Sequence, residues 1–337
     1  MDEIVFIYAD GHKNSVYLAD SLGIKIRKHL PPFFSRSIKN TILSMFMIFS
    51  LPKSKFYFIE GNFITIAIAR KLHLIPKNAK IIKYLGEPIF YRLLNGQIKG
   101  LKKIFLDYFL KDVDAFVCHG DWQVELLSKY LPNAKKIMVY TPILSNQFIH
   151  ITSNEKLPNL DSHNLLLIGN GRVKYKGIDM AIDALKIIRE KYNDAKLNVI
   201  GKFDKAVIDR YSSVEGVRFL GFVPDLLSYI KDSALYVHPA RVEAFGLSIV
   251  EAMLGGLPAI VSKDTGAKTF VEELGDMFVV DTNPKSVADS IDRYFSLKKE
   301  ERIDLSNKAK NIASKLGPDN IIPKFYTDFT NLLKELN

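Results

Sequence analysis

The stretch RVEAFGLSIVEAMLGGLPAIV, Arg241 to Val261, decides the reading of this 337-residue chain. After Glu243, the residues from Ala244 to Val261 carry one charge, Glu251, and one other polar side chain, Ser248. The apolar run ALYVHPA (234–240) before it reads as a strand that ends at Pro239. A helix is expected to begin near Gly246, and PAIVSKD (258–264) reads as the next strand. Strand, helix, strand is the repeating unit of a parallel sheet wrapped by helices. A Glu is rarely buried without a partner, because burial of a lone carboxylate is costly. Glu251 therefore needs something to hold.

Glu243 and Glu251 stand eight residues apart, about 80° around a helix if both were helical. Glu243 is thus placed in the loop, with Glu251 two turns into the helix. Backbone N–H groups of Phe245, Gly246, Leu247 and Ser248 then lie at the helix N-terminus, where an anion such as a phosphate binds readily. Gly246 lets a ligand approach closely. Glu251 is able to accept two hydroxyl hydrogen bonds, as from a ribose diol. The competing reading makes Glu251 a solvated side chain and Glu243 a plain acid at a helix start. Spacing alone leaves both open.

The same alternation extends outward in both directions. Strands are expected over 3–9, 55–61, 80–86, 114–120 and 137–143, then over 164–171, 196–203 and 217–224. Helical patterns such as FITIAIARKLHL, DWQVELLSKYL and GIDMAIDALKIIREKY lie between them. The polar segment HITSNEKLPNLDSHN (150–164) reads as a linker. The expected fold is α/β: two Rossmann-like, doubly wound parallel-sheet domains, residues 1–149 and 150–315, facing a central cleft. Residues 316–337 form a further helix that packs on either domain, the first included. Ligands of such sheets sit at the carboxyl ends of the strands.

Composition sets bounds. The single cysteine, Cys118, excludes an intrachain disulfide framework and any multi-cysteine metal site. MDEIVFIYAD reads as a strand rather than a signal peptide, and the longest apolar run, TILSMFMIFSL, is too short to span a bilayer. A cytoplasmic enzyme fits. Residues 1–150 hold 21 Lys and Arg against 11 Asp and Glu, so the whole net charge of +10 lies in the first half. Between Asp20 and Glu60 the charged residues are Lys25, Arg27, Lys28, Arg36, Lys39, Lys53 and Lys55, with no acid. That asymmetry implies an anionic partner: a membrane surface, a phosphorylated acceptor or nucleic acid. Within this segment Ile38, Ile42, Met45, Phe46 and Phe49 follow helical spacing. They fit either a core helix or a peripheral membrane contact.

A second motif, GNGRVKYKGIDMAIDAL (169–185), follows an apolar strand and opens a helix. Arg172 and Lys176 project from its turn, where two cations would neutralise a diphosphate leaving group. A dinucleotide fingerprint fails here, since Lys174 stands where its third glycine is needed. Two solvated cations on a loop is the simpler reading of this motif taken alone.

Taken together, Glu243-x7-Glu251 within EAFGLSIVE, the following EAMLGGLPAIVSKDTG, the GRVKYKGID turn and FLGFVPDLLSYIKDSALYVHPA resemble a family 4 retaining glycosyltransferase of the GT-B fold. They cover most of residues 164–270, in the family's order. The first half resembles the family in layout only. The resemblance implies a nucleotide-sugar donor site in the second domain. Glu251 would hold the ribose hydroxyls and Glu243 would contact the transferred sugar. The backbone from Phe245 through Gly246 and Leu247 to Ser248 would bind sugar and diphosphate. Arg172 and Lys176 would stabilise the departing phosphate, Val223 would line the base pocket, and Gly11 would approach the phosphates. The sequence departs from the family in placing Arg172 and Lys176 four apart rather than five. It also has Gly86-Glu87-Pro88 where many members carry a histidine near the acceptor.

The reaction implied is transfer from a UDP- or GDP-sugar to a hydroxyl of a glycan or lipid-linked acceptor, with retention. No cofactor or metal is expected. Asp112-Val113-Asp114 has a metal-binding look but opens a strand, and His119 is read as a loop histidine. The partners expected are the donor, the hydroxyl acceptor and an anionic membrane surface, so the enzyme would be cytoplasmic and peripheral on the membrane's cytoplasmic face. Three other readings compete: another GT-B sugar-nucleotide enzyme such as an epimerase, a nucleic-acid binder using the basic half, and a catalytically dead sugar-nucleotide sensor. The aromatics Phe33, Phe34, Phe56, Tyr57 and Phe58 fit strands or core rather than a stacking platform, so no nucleic acid is expected.

Overall fold

The structure is a computed structural model that describes residues 3–9, 13–33, 38–171 and 173–337. Gly11, Phe34, Arg36 and Arg172 lie outside the described residues. The chain divides into two compact units, residues 1–142 with 319–337, and residues 143–318.

The first unit carries strands β1 (Ile4–Tyr8), β2 (Ile26–His29), β3 (Phe56–Glu60), β4 (Lys80–Leu85), β5 (Ala115–His119) and β6 (Lys136–Val139). They form one parallel sheet in the order β2-β1-β3-β4-β5-β6. Its helices are α1 (Lys13–Ser21), α2 (Ile38–Phe46), α3 (Phe63–Lys71), α4 (Ile89–Leu94), α5 (Gly100–Leu110) and α6 (Asp121–Tyr130). β3 and β5 are buried along their whole length, as their unbroken apolar runs require in a sheet covered on both faces. β2, with sequence IRKH and an exposed pattern, was not legible as a strand. It is a charged edge strand, a form that discourages pairing with another chain.

The second unit begins with α7 (Ser145–Thr152) and carries β7 (Asn164–Ile168), α8 (Ile178–Arg189), β8 (Lys196–Ile200), α9 (Lys205–Tyr211), β9 (Val217–Gly221), α10 (Leu226–Asp232), β10 (Leu235–His238), α11 (Leu247–Leu254), β11 (Ala259–Ser262), α12 (Lys268–Glu272), β12 (Val279–Val280), α13 (Pro284–Phe295) and α14 (Lys299–Ser314). The sheet is again parallel, in the order β12-β11-β10-β7-β8-β9. The strand order reverses between β7 and β10. In open α/β sheets that reversal opens a ligand crevice at the carboxyl ends of the two strands.

The last helix, α15 (Pro318–Leu336), returns to the first unit. Phe325, Phe329, Leu332 and Leu336 join the core around Phe58 and Tyr84, and the Phe58 and Phe329 rings meet edge-on at 5.2 Å. The segment between α7 and β7 is pinned rather than loose. Lys231 donates to the Gly255 carbonyl at 3.0 Å and to the Lys156 carbonyl, and the Asn159 amide donates to the Lys231 carbonyl at 2.8 Å.

Candidate active site

Both chemistry-bearing loops of the second unit leave the strands that flank the reversal. The 169–177 loop follows β7, and the 239–246 loop follows β10. Close backbone contact joins them. Gly177, at φ +66°, begins α8, and a Cβ there would lie 1.9 Å from the Pro239 carbonyl oxygen. Arg241 then grips α8 through two hydrogen bonds to Asp179, at 2.8 and 2.9 Å, and donates to the Lys174 carbonyl at 2.6 Å. A fork-to-fork pair of this kind fixes orientation as well as distance. Gly177→Ala combines a left-handed backbone with a backbone clash. It is expected to lower stability by about 2–4 kcal/mol, read as a fall in Tm, with donor affinity falling too because Lys176 is its neighbour.

The clamp sets Lys176 against Glu243 in an ion pair, with side-chain exposures of 25% and 14%. The Glu243 backbone is itself held: its amide donates to the Asp264 carbonyl at 3.0 Å and its carbonyl accepts from the Gly266 amide at 2.9 Å. His238, the fully buried last residue of β10, places Nε2 3.4 Å from Glu243 Oε2. Behind it, Tyr236 Oη lies 3.4 Å from His238 Nδ1 and 2.9 Å from Ser248 Oγ. Burial works against ionisation of Glu243, but the His238 ring and the Lys176 charge outweigh it and bring the pKa to about 2. Glu243 is thus a carboxylate at every physiological pH. His238 is shifted down, first by burial, with Lys176 adding to that shift and Glu243 opposing it.

Gly246, at φ +93°, caps the start of α11, and a Cβ there would come within 2.4 Å of Ile249 Cδ1 and 3.2 Å of Glu243 Cγ. The helix therefore starts where the sequence placed it. Gly246, Leu247 and Ser248 occupy its first positions, whose amides have no intrahelical acceptor. Glu251 lies one turn beyond Leu247 on the same face, rather than two turns into the helix. Burial pushes its pKa up to about 7, and no cation stands within ion-pair distance of it among the described residues. The Tyr236 hydroxyl is held neutral by its own burial, and the charges of Glu243 and Glu251 add to that effect. Tyr236 thus lies in the field of both carboxylates.

Val223 follows β9, which sits two strands from β7, roughly 10 Å along the sheet edge. The neighbouring Phe222 ring is 88% exposed. Lys176, Glu243 and the start of α11 converge, then, while Val223 stands at the far end of the same edge. Gly11 and Arg172 lie outside the described residues. His238 and Tyr236 escaped the sequence reading. Their run, ALYVHPA, marks a strand but not which side chain ends at the reactive edge.

Contacts place three groups of the first half that the sequence singled out. Asp114 binds Arg70 at 2.5 Å and accepts from the Ile81 amide at 2.8 Å, and Asp112 pairs with Lys71 at 2.9 Å. These carboxylates anchor α3 to the sheet. His119 is not a loop histidine: it is the buried last residue of β5, its ring 5.8 Å from that of Tyr84. Glu87 is half-exposed and stands 3.9 Å from Lys83, a buried lysine whose pKa burial lowers.

Residues 151–312 match the family model "Glycosyl transferases group 1". The chain is 30% identical over 205 residues to an uncharacterized glycosyltransferase, MJ1607, of Methanocaldococcus jannaschii, covering 56% of this chain and 52% of that one. It is 23% identical over 322 residues to an uncharacterized glycosyltransferase of Haemophilus influenzae, covering 87% and 86%. It is 26% identical over 215 residues to the O-antigen biosynthesis glycosyltransferase WclY of Escherichia coli, covering 61% and 59%. The alignments thus span about half of the Methanocaldococcus protein and three fifths of WclY. Among solved structures, Anabaena HepE in complex with UDP and glucose superposes with a TM-score of 0.71 at 14% identity, over 99% of this chain and 100% of that one. WaaG, a glycosyltransferase involved in lipopolysaccharide biosynthesis, gives 0.66 at 14%, over 96% and 98%. The chain has the GT-B fold, and its second unit carries the sequence pattern of the glycosyl transferases group 1 family.

Proposed function

We propose that the protein is a retaining glycosyltransferase that moves a sugar from a UDP- or GDP-sugar to a hydroxyl of a glycan or lipid-linked acceptor. The observation that carries this reading is the edge built at the β7/β10 reversal. A lysine and a part-buried carboxylate pair there beside a helix N-terminus, and one turn further on stands a second carboxylate with no cation within ion-pair distance among the described residues. Each group fits one part of a nucleotide diphosphate sugar. Glu251 takes the ribose diol, and the amides at the start of α11 take the phosphates. Glu243, in the family role, takes hydroxyls of the sugar, and Val223 borders the base. Arg172 and Gly11 keep the family roles given above. UDP is the nucleotide bound in HepE, which favours a UDP-sugar.

In this scheme the anomeric C1–O bond breaks and its electron pair leaves with the diphosphate. The acceptor oxygen attacks C1 from the face the diphosphate vacates. Its proton passes to the leaving phosphate oxygen, so no protein base is needed. Lys176 must then release Glu243 in part and turn to the phosphate, whose charge grows as the bond breaks. Stabilisation that increases toward the transition state is the kind that raises turnover. Lys176 and the α11 dipole supply this positive charge, so saturating EDTA is expected to leave turnover unchanged.

The test is proton NMR of the reaction with UDP- and GDP-sugars and a panel of glycan and glycolipid acceptors. Release of nucleoside diphosphate with the donor's anomeric configuration in the product supports the reading. An inverted product contradicts retention, and conversion of the donor without an acceptor points to an epimerase instead.

A further inference from the structure

Helix α2 presents its apolar side to water. Ser44 is fully buried, and Thr41 turns inward to donate to the Phe33 carbonyl at 2.7 Å. Ile42, Leu43, Met45 and Phe46 are exposed, Phe46 to 69%. The 3-10 turn that follows, Met47–Ser50, buries Ile48 and leaves Phe49 74% exposed. A helix packed on a core shows the opposite arrangement, so the core reading of this stripe fails. On α5 a second apolar stripe faces outward at helical spacing: Leu101, Ile104 and Tyr108, the first 84% exposed. Phe33 ties the two helices together, its carbonyl bound by Thr41 of α2 and its ring stacked on Phe105 of α5 at 5.6 Å.

The charges nearby select what covers this surface. No acid occurs between Asp20 and Glu60, and between Glu87 and Asp107 the charged residues are Arg92, Lys99, Lys102 and Lys103. Exposed aromatic and aliphatic side chains rimmed by lysines fit the boundary of an anionic bilayer, where acyl chains meet the apolar groups and headgroups meet the cations. A second copy of the chain would bring like charges together. A nucleic acid would answer the lysines but leave Phe46 and Phe49 in water. Among the described residues no helix is long and apolar enough to cross a membrane, so the contact is peripheral.

We propose that α2, its 3-10 turn and α5 form a docking face for anionic membrane. The proposal deepens the glycosyl-transfer reading, because a docked enzyme meets a lipid-linked acceptor at the bilayer surface, but its test needs no substrate. The full-length protein is sedimented with vesicles of phosphatidylcholine alone and of phosphatidylcholine with phosphatidylglycerol, 3:1. Binding to the anionic vesicles is expected, weaker on the neutral ones. The pair Phe46→Ser and Phe49→Ser is expected to reduce binding at least about tenfold, with an unchanged circular dichroism spectrum and Tm as proof of folding. Lys99→Gln with Lys102→Gln should weaken it further and flatten its salt dependence. Absence of vesicle binding, or equal binding by the Phe46→Ser, Phe49→Ser protein, overturns the proposal. So does a wild-type dimer that the same pair dissociates, which would assign the face to a second copy. Vesicle binding without nucleotide binding would leave this proposal standing and remove the transfer reading.

Discussion

Replacing Lys176 by Met is expected to reduce turnover by about two to three orders of magnitude, the loss found when one preorganised charge-stabilising group is removed from an active site. KM for the donor should change far less, because the charge on the departing phosphate grows mainly as the bond breaks. The substitution has a second consequence in the free protein. Lys176 helps to hold Glu243 at a pKa of about 2 against the effect of burial. Without it the carboxyl pKa should climb and the protein lose stability. Adding Glu243→Gln to Lys176→Met should therefore restore much of the Tm but none of the turnover. If Lys176→Met retains more than about a third of wild-type turnover, Lys176 does not meet the leaving group.

The second large effect concerns Glu251 and pH. In the unfolded chain its pKa lies near the ordinary 4.5, and in the fold burial raises it to about 7. Below pH 4.5 the group is protonated in both states and costs nothing. Between pH 4.5 and 7 the unfolded chain gives up the proton first, so the native state loses stability as pH rises, by about 3 kcal/mol in all. Glu251→Gln should thus be more stable than wild type at pH 8 by about that amount, and nearly equal to it at pH 4.5, measured by urea unfolding. Nucleotide should act in the opposite sense. A ribose diol donates to the ionised carboxylate, so binding near pH 6.5 should release protons, detected by calorimetry in buffers of different ionisation enthalpy. A stability difference that does not vary with pH would contradict the raised pKa of Glu251.

Much of this site was legible in the sequence, for reasons that particular residues make clear. Glu251 stood out because a lone charge in an apolar stretch needs an explanation, and Gly246 marked the helix start correctly because only a left-handed residue fits there. Ten of the twelve strands among the described residues followed from apolar runs. β2 and β12 did not: one is a charged edge and the other two residues long, so neither has the pattern that a buried strand imposes. The pairing of Lys176 with Glu243 across 67 residues was not legible either. It depends on Gly177 packing against Pro239 and on the Arg241–Asp179 clamp, which are contacts between loops, and periodicity carries no information on these. The stripe on α2 was visible as a stripe. Its direction was not, because helical spacing shows that one side is apolar without showing which side meets the core.

The most direct test of the donor site is calorimetric titration of the purified protein with UDP, GDP and ADP in EDTA, repeated on Glu251→Ala. Saturable binding of UDP or GDP is expected, weakened about ten- to a hundredfold by the substitution, since it removes hydrogen bonds to a charged acceptor. Binding that survives Glu251→Ala unchanged would contradict the assignment of the ribose to Glu251. No binding of any nucleotide, as diphosphate or as intact sugar nucleotide, would contradict the donor site itself.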